Sequence, residues 1–183
     1  MKMKMKHNEY NCELLDVTKN NIQNLYIISN KVLPIHYPME YFYKILPFES
    51  YTTTSNKKKV VHGSKNEIFY TKLAAYHGIP IGCIKAKTLF NKNNIIPIGI
   101  YIEIIAILGP YRNKRIGRKL LNYVEDECKK SFIHKIYVHV SVNNLPAIKW
   151  YQKLGFVESD VLPNMYQLND GNSCNAIIMV KTL

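Results

Sequence analysis

The chain has 183 residues, of which 47% are hydrophobic, and it carries a formal net charge of +12. A chain of this length and apolar content can bury one substantial core, which favours a single domain. It contains no run of about 20 uncharged apolar residues, the length that a membrane-spanning helix requires. The composition therefore predicts a globular protein without a membrane segment.

The excess of positive charge favours polyanionic partners such as a nucleotide cofactor, RNA or a ribosome surface. A solvated lysine-rich surface without a specific partner accounts for the charge equally well. Residues 1–8 are basic, but no apolar core or small-residue cleavage site follows them, so we interpret them as a flexible tail rather than a secretory signal. Residues 9–183 are expected to form the single domain.

The four cysteines are far apart in the sequence, and no Cys/His cluster has the spacing of metal ligands. Structural disulfides are rare in the cytosol, and structural zinc needs four closely grouped ligands. The cysteine pattern therefore predicts reduced thiols, a cytoplasmic location and no metal site.

Two helices are predicted near the start of the chain. Apolar residues recur at helical spacing over 22–32, after a cap at Asp16 or Thr18. A second, shorter helix is predicted to begin at Pro38 and to end before Pro47.

The next segment, residues 49–66, is rich in Ser, Thr, Asn and Lys without any apolar period, which predicts a mobile insertion. Residues 68–76 and 81–87 then predict a hairpin, joined by a His-Gly-Ile-Pro turn. A long apolar strand is predicted over 98–108. The first half of the domain is therefore expected to end in a sheet.

The second half alternates helices and strands. An apolar helical face is predicted over 116–128, followed by a strand over 136–142. Asn143-Asn144 as a cap and Gly155 just past the end delimit a further helix. Three more strands are predicted, over 156–158, 165–168 and 176–181, the last two joined across residues 169–172.

A basic turn lies between the predicted strand 98–108 and the helix that follows it, with the sequence Gly109-Pro-Tyr-Arg-Asn-Lys-Arg-Ile-Gly-Arg118. Exposed N–H groups at a helix start, reinforced by the helix dipole, can bind a pyrophosphate. Gly117 has no side chain that would block close approach. The turn lacks the Gly-Lys-Ser/Thr of a P-loop and the three glycines of a dinucleotide-binding turn, so ATP and NAD are poorly supported. An ordinary basic strand-to-helix connection fits the same residues.

The spacing Arg112-x-x-Arg115-x-Gly117 after a strand resembles the acetyl-CoA loop of the GNAT superfamily, whose usual pattern is Arg/Gln-x-x-Gly-x-Gly/Ala. Within that superfamily the chain is most similar to the catalytic subunits of NatE-type protein Nα-acetyltransferases. The resemblance implies an α/β GNAT fold, in which a mixed, mostly antiparallel central sheet is flanked by about four helices. The segments that carry the similarity are 33–37, 108–112, 137–144 and 147–156.

The same resemblance implies an enzyme that transfers the acetyl group of acetyl-CoA to the α-amino group of protein N-termini, with methionine followed by a hydrophobic residue as the expected acceptor. From the residues alone, Asn144 equally fits a helix cap and Tyr151 a packed aromatic. Arg115 stands where the family has a glycine. The cofactor contacts that the resemblance implies are Ile105, Ile107, Arg112, Asn113, Lys114, Arg115, Ile116, Gly117, Arg118, Asn144 and Tyr151.

Acetyl transfer needs a neutral amine, so a base must remove a proton from the acceptor. His139 lies in an apolar strand and imidazole titrates near working pH, although a lone histidine there is also a common packed residue. The resemblance assigns proton-accepting roles to His139 and Tyr101. Strand alternation predicts that Tyr101, Glu103, Ile105 and Ile107 point to one side.

Glu103 occupies a position that is apolar in the NatE-type pattern, which indicates an additional base or a contact for the substrate ammonium. Met165 stands where the family has a second aromatic residue. The acceptor-binding residues implied by the resemblance are Leu33, Pro34, Ile35, Tyr37, Glu103, Met165 and Tyr166.

Two other functions fit parts of the sequence. A GNAT enzyme that acetylates lysine side chains or a small amine would share the basic turn, but the 33–37 segment argues against it. A ribosome- or RNA-binding module on an inactive GNAT fold would account for the charge. Besides protein N-termini, the expected partners are an auxiliary subunit and the ribosome, without specific DNA or a membrane.

Overall fold

A computed structural model of the chain describes residues 11–46, 67–93, 95–167 and 171–183. The predicted basic tail and the predicted insertion lie outside these ranges, as does part of the predicted turn at 169–172. None of the helices in the described ranges is long and apolar enough to cross a membrane.

A seven-stranded sheet forms the centre of the described structure. Its strands are β1 (Glu13–Asp16), β2 (Phe69–Tyr76), β3 (Ile79–Phe90), β4 (Pro97–Ile107), β5 (Lys135–Ser141), β6 (Val157–Gln167) and β7 (Ser173–Thr182). They are arranged in the order β1-β2-β3-β4-β5-β7-β6, and every neighbouring pair is antiparallel except β4 and β5. The sheet is therefore mixed and mostly antiparallel, as the sequence predicted.

Four α-helices cover the sheet in the described residues. They are α1 (Ile22–Val32), α2 (Met39–Tyr43), α3 (Ile116–Lys130) and α4 (Leu145–Lys153). Two apolar clusters separate the faces: residues of α1 and α2 pack on one, and residues of α3 and α4 pack on the other. Neighbouring residues such as Leu73 and Ala74 of β2 enter different clusters, because successive strand side chains point to opposite faces.

The start of the fold differs from the sequence prediction in two places. Asp16 belongs to β1, which pairs with β2 and which its four residues were too short to reveal. The predicted caps at Asp16 and Thr18 are therefore wrong: α1 has Asn21 at its N-cap, and the Asn21 Oδ1 accepts a hydrogen bond from the Thr18 N–H at 2.7 Å. Pro38 is the N-cap of α2 rather than its first residue, and that helix ends at Tyr43.

A β-bulge in β4 contradicts the predicted alternation of its side chains. Lys85 pairs with Ile104 and Ala86 pairs with Ile102, so Glu103 is an extra residue between them. Because of this extra residue, each β4 side chain after Glu103 points to the sheet face opposite to the one that regular alternation predicts. Tyr101 and Glu103 lie on the α1 and α2 side, whereas Ile105 and Ile107 pack against the cluster on the α3 side.

The parallel pair β4 and β5 is short. Its register runs only from Ile100 opposite Ile136 to Ile102 opposite Val138. Beyond these residues the side chains of both strands line one cavity. The point where β4 and β5 separate therefore positions the candidate site.

Candidate active site

A cavity of about 770 Å³ lies between the separated ends of β4 and β5, and it extends from the α1–α2 connection to the start of α3. The structure brings together 17 of the 20 residues that the sequence predicted for the site. At one end and along the walls these are Leu33, Pro34, Ile35, Tyr37, Glu103, Ile105, Ile107, His139 and Tyr166. At the other end they are Arg112, Asn113, Arg115, Ile116, Gly117, Arg118, Asn144 and Tyr151.

Three predicted site residues are not part of the cavity lining. Tyr101 contacts His139 from behind the wall, and Lys114 lies in the basic turn. Met165 is 45% exposed on β6, whose pairing with β7 is irregular between Leu162 and Tyr166. Met165 and Tyr166 are successive strand residues, whose side chains point to opposite faces, so only Tyr166 lines the cavity.

The basic turn leads directly into α3. Arg115 is the N-cap, and its φ of 60° lies in the left-handed region that favours glycine. This conformation gives a physical reason for the glycine in the family pattern. The turn is also held by the Arg112 Nε–H, which donates to the Ile107 carbonyl oxygen at 3.1 Å. The arginine at position 115 thus keeps the geometry that the pattern requires, at a cost of about 1 kcal/mol in backbone strain.

Gly117 lies in the first turn of α3 and faces the cavity. A Cβ at this position would lie 3.1 Å from Cζ2 of Trp150 and 3.2 Å from Cδ1 of Ile107. Gly117 places no side chain between the cavity and the first-turn N–H groups, which have no partners within the helix. These groups, the helix dipole and the neighbouring guanidinium of Arg118 fit a pyrophosphate.

Asn144 and Tyr151 flank the same end of the cavity. The Asn144 Oδ1 caps α4 by accepting a hydrogen bond from the Ala147 N–H at 3.2 Å. Its side-chain amide keeps two N–H donors on a residue that lines the cavity. Tyr151 is 4% exposed, and burial raises the pKa of its phenol, so it is a neutral hydrogen-bonding group. Both residues therefore combine the structural role with a position facing the cavity.

Changing Asn144 separates these two roles. The variant Asn144→Ala is expected to lose about 1 kcal/mol of unfolding free energy with the cap. Asn144→Asp keeps the capping oxygen but loses the N–H donors and adds a negative charge, so we expect its stability to be retained and its KM for the acetyl-CoA that the resemblance implies to rise. Denaturant unfolding and steady-state kinetics measure the two effects. An unchanged KM in Asn144→Asp would show that the cap is the residue's whole role.

A tyrosine–histidine pair lies where β4 and β5 separate. The Tyr101 hydroxyl and the His139 Nδ1 are 3.1 Å apart, and their ring centroids are 4.6 Å apart. The Tyr166 hydroxyl donates to the His139 carbonyl oxygen at 3.0 Å, which fixes the backbone of β5 beside the cavity. The pair is therefore positioned from both sides.

The protonation states of the pair follow from their burial. Burial lowers the pKa of His139, so the imidazole is neutral at neutral pH and has a lone pair that can accept a proton. Burial, followed by the proximity of Tyr166 and Glu103, raises the pKa of Tyr101 well above its usual value. Tyr101 is thus a neutral phenol. The histidine is the better base of the two.

Glu103 is engaged by lysines that the sequence analysis did not identify as site residues. Its Oε2 forms an ion pair with the Lys85 Nζ, and its Oε1 lies 3.4 Å from the Lys87 Nζ. Lys85 is 1% exposed and its ammonium lies 4.0 Å from the ring centroid of Tyr41. The carboxylate is therefore held in a polar cluster rather than presented as an isolated charge. A lysine within an apolar strand was the available signal for this cluster.

Nine further lining residues were not predicted from the sequence. They are Val32, Ile102, Ile104, Val138, Val140, Ser141, Pro146, Ala147 and Trp150.

Within the described parts of the chain, no group of three or more His, Cys, Asp or Glu residues is placed to hold a metal ion.

Residues 22–156 match the model of the acetyltransferase (GNAT) family, and the chain therefore belongs to that family. Membership confirms the predicted fold, the predicted class of acetyl-CoA-dependent acyltransferase, and acetyl-CoA as the cosubstrate.

Among its relatives, the chain is 29% identical to N-alpha-acetyltransferase 50 of Danio rerio over 156 residues, which cover 85% of this chain and 80% of that protein. It is 27% identical to the probable N-acetyltransferase san of Drosophila melanogaster, over 93% of this chain and 80% of that protein. Among solved structures it is similar to Arabidopsis thaliana Naa50 in complex with the bisubstrate analogue CoA-Ac-MVNAL. That similarity has a TM-score of 0.71 and 28% identity and covers 94% of this chain and 99% of that one.

Proposed function

We propose that this protein transfers the acetyl group of acetyl-CoA to the α-amino group of protein N-termini. The observation that carries the proposal is the Tyr101–His139 pair, whose histidine lines the cavity that extends from the apolar residues after α1 to the basic turn. The similarity to N-alpha-acetyltransferase 50, and to a structure whose analogue joins CoA to an acetylated peptide, supports the same acceptor class.

Acetyl-CoA supplies a thioester whose C–S bond breaks as the amide C–N bond forms. The acceptor amine must first lose a proton, because an ammonium has no lone pair. In the proposed mechanism His139 accepts that proton at Nε2 through a water molecule, while its Nδ1–H donates to the Tyr101 oxygen. The contact with Tyr101 holds the ring orientation, and because the Tyr101 oxygen accepts in this tautomer, its own O–H can donate to the reacting groups.

The acceptor is proposed to begin with methionine followed by a hydrophobic residue. The wall formed by Leu33, Pro34 and Ile35 is mostly apolar, and the ring of Tyr37 extends it. Apolar walls favour an apolar side chain through the surface that both remove from water. The peptide part of the analogue bound by the Arabidopsis structure, MVNAL, begins with such a pair.

The partners and location proposed for this protein follow from its charge and cysteines. The net charge of +12 supports docking on a ribosome or on an auxiliary subunit with an acidic surface. All four cysteines are unpaired and buried, which supports a reducing, cytoplasmic location.

The function is tested by incubating the protein with acetyl-CoA and short peptides, following thiol release and product mass. We expect acetylation of a peptide that begins Met-Leu and none of the same peptide with a formylated N-terminus. An internal lysine in both peptides provides a matched control. Acetylation of the formylated peptide would indicate lysine as the acceptor, and no turnover together with salt-sensitive RNA binding would indicate the binding module.

A further inference from the structure

The cavity lining contains a charged side chain, Glu103, as well as the apolar residues 33–35. Glu103 lines the cavity while its side chain is 9% exposed, and Lys85 behind it is almost fully buried. The ammonium of Lys85 also lies 4.7 Å from the ring centroid of Phe69, so Lys85 makes a cation–π contact in addition to its ion pair with Glu103. Burying two charges is costly unless they are paired, so this arrangement places a carboxylate at the cavity surface.

The cluster has no net charge, so it does not act as a simple trap for cations. Lys87 contacts Glu103 and also Glu67, whose Oε1 lies 3.0 Å from the Lys87 Nζ. Two lysines and two carboxylates therefore balance one another. Any preference of this cluster for particular acceptor side chains must therefore depend on hydrogen bonding to Glu103 rather than on charge alone.

The carboxylate of Glu103 keeps hydrogen-bonding capacity on its cavity side. Two carboxylate oxygens offer about four acceptor positions. Lys85 takes one position on Oε2 and Lys87 lies 3.4 Å from Oε1, so positions remain on this cavity-lining carboxylate. An apolar side chain packed against Glu103 would displace water that hydrogen-bonds to the carboxylate and would leave that acceptor unpaired. A side chain with an N–H or O–H donor would replace the lost hydrogen bond.

The position of Glu103 relates it to the first residue of the acceptor. Glu103 lies on the same face of β4 as Tyr101, two residues further along the strand. The reacting amine must approach Tyr101 and His139, and the first side chain is attached one carbon from that amine. The first side chain is therefore the part of the acceptor that reaches Glu103.

Resting on the proposed N-terminal acetylation, we infer that Glu103 is a specificity-determining residue that extends the acceptor range to first residues whose side chains donate a hydrogen bond. Methionine is bound by the apolar wall, and asparagine is bound through donation to Glu103. Asparagine and leucine have nearly the same shape, so comparing them isolates the hydrogen bond from the size of the side chain.

The test uses the double variant Lys85→Met/Glu103→Met, because removing one partner alone would leave a buried charge unpaired. Two peptides that differ only in a first residue of asparagine or leucine are assayed with acetyl-CoA. We expect the Asn:Leu ratio of kcat/KM to fall about tenfold relative to the wild type. A ratio does not respond to a uniform loss of active enzyme.

Glu67→Gln is the matched control, because Glu67 belongs to the same ion-pair cluster and does not line the cavity. Its Asn:Leu ratio is expected to equal that of the wild type. If the double variant does not fold, Lys85→Gln/Glu103→Gln removes both charges and keeps one accepting oxygen at position 103, and we expect its ratio to fall about threefold.

An Asn:Leu ratio unchanged in the Glu103 variants, with both peptides still acetylated, would overturn the inference and leave the proposed function intact. Failure of the wild type to acetylate any peptide N-terminus would instead refute the proposed function.

Discussion

The variant His139→Ala is expected to lower kcat by about 10²-fold or more, the contribution typical of a positioned general base. The imidazole lies beside the cavity, is neutral because burial lowers its pKa, and is oriented by Tyr101 at 3.1 Å. No other described side chain that lines the cavity combines a neutral lone pair with this position. Steady-state kinetics with a Met-Leu peptide at saturating acetyl-CoA measure the loss.

The pH profile provides a second readout of the same role. Burial lowers the pKa of His139 from its ordinary value of 6.5, so the base is lost by protonation only as the pH falls below 6.5. The wild-type kcat should therefore decline on that acid side, and the decline attributable to His139 should be missing from His139→Ala.

Tyr101→Phe, which keeps the ring but loses the hydroxyl, is expected to lower kcat more than about tenfold. Full turnover in both variants would remove proton transfer from this pair.

The variant Gly117→Glu is expected to raise the KM for acetyl-CoA by about 10²-fold, because it places a carboxylate where the first turn of α3 faces a pyrophosphate. Because Gly117 is buried and a Cβ there would contact Trp150 and Ile107, circular dichroism and a melting temperature establish that the variant folds before its KM is interpreted. The KM for the peptide should change little. Titration with CoA and initial-rate kinetics measure the two affinities separately.

Gly117→Ala is the control for the volume of the added side chain. Its methyl group would lie 3.1 Å from Trp150 and 3.2 Å from Ile107, so these side chains must shift by a few tenths of an ångström. We expect a rise in KM of a few-fold at most. An equal effect of alanine and glutamate would indicate steric exclusion, and no effect of either would place the pyrophosphate elsewhere.

The sequence by itself identified the elements that local patterns specify. The apolar face of α3 and the cap of α4 at Asn144 follow from side-chain spacing and hydrogen-bonding chemistry within a few residues. Gly155 has a φ of 87°, as its predicted place after a helix requires. The basic turn ending at Gly117 was also identified from the sequence, because the spacing of its cations and its glycine is a local property. The resemblance to the GNAT family then indicated which cofactor such a turn binds.

Only the tertiary structure decided which side chains meet. The bulge at Glu103 depends on how β4 pairs with β3, and the strand's own alternation could not reveal it. The contact between Tyr101 and His139 joins residues 38 positions apart, and it exists because β4 and β5 pair briefly before they separate. Strand register is fixed by packing between distant segments, so a shift of one residue changes which face a side chain occupies without changing the local sequence pattern.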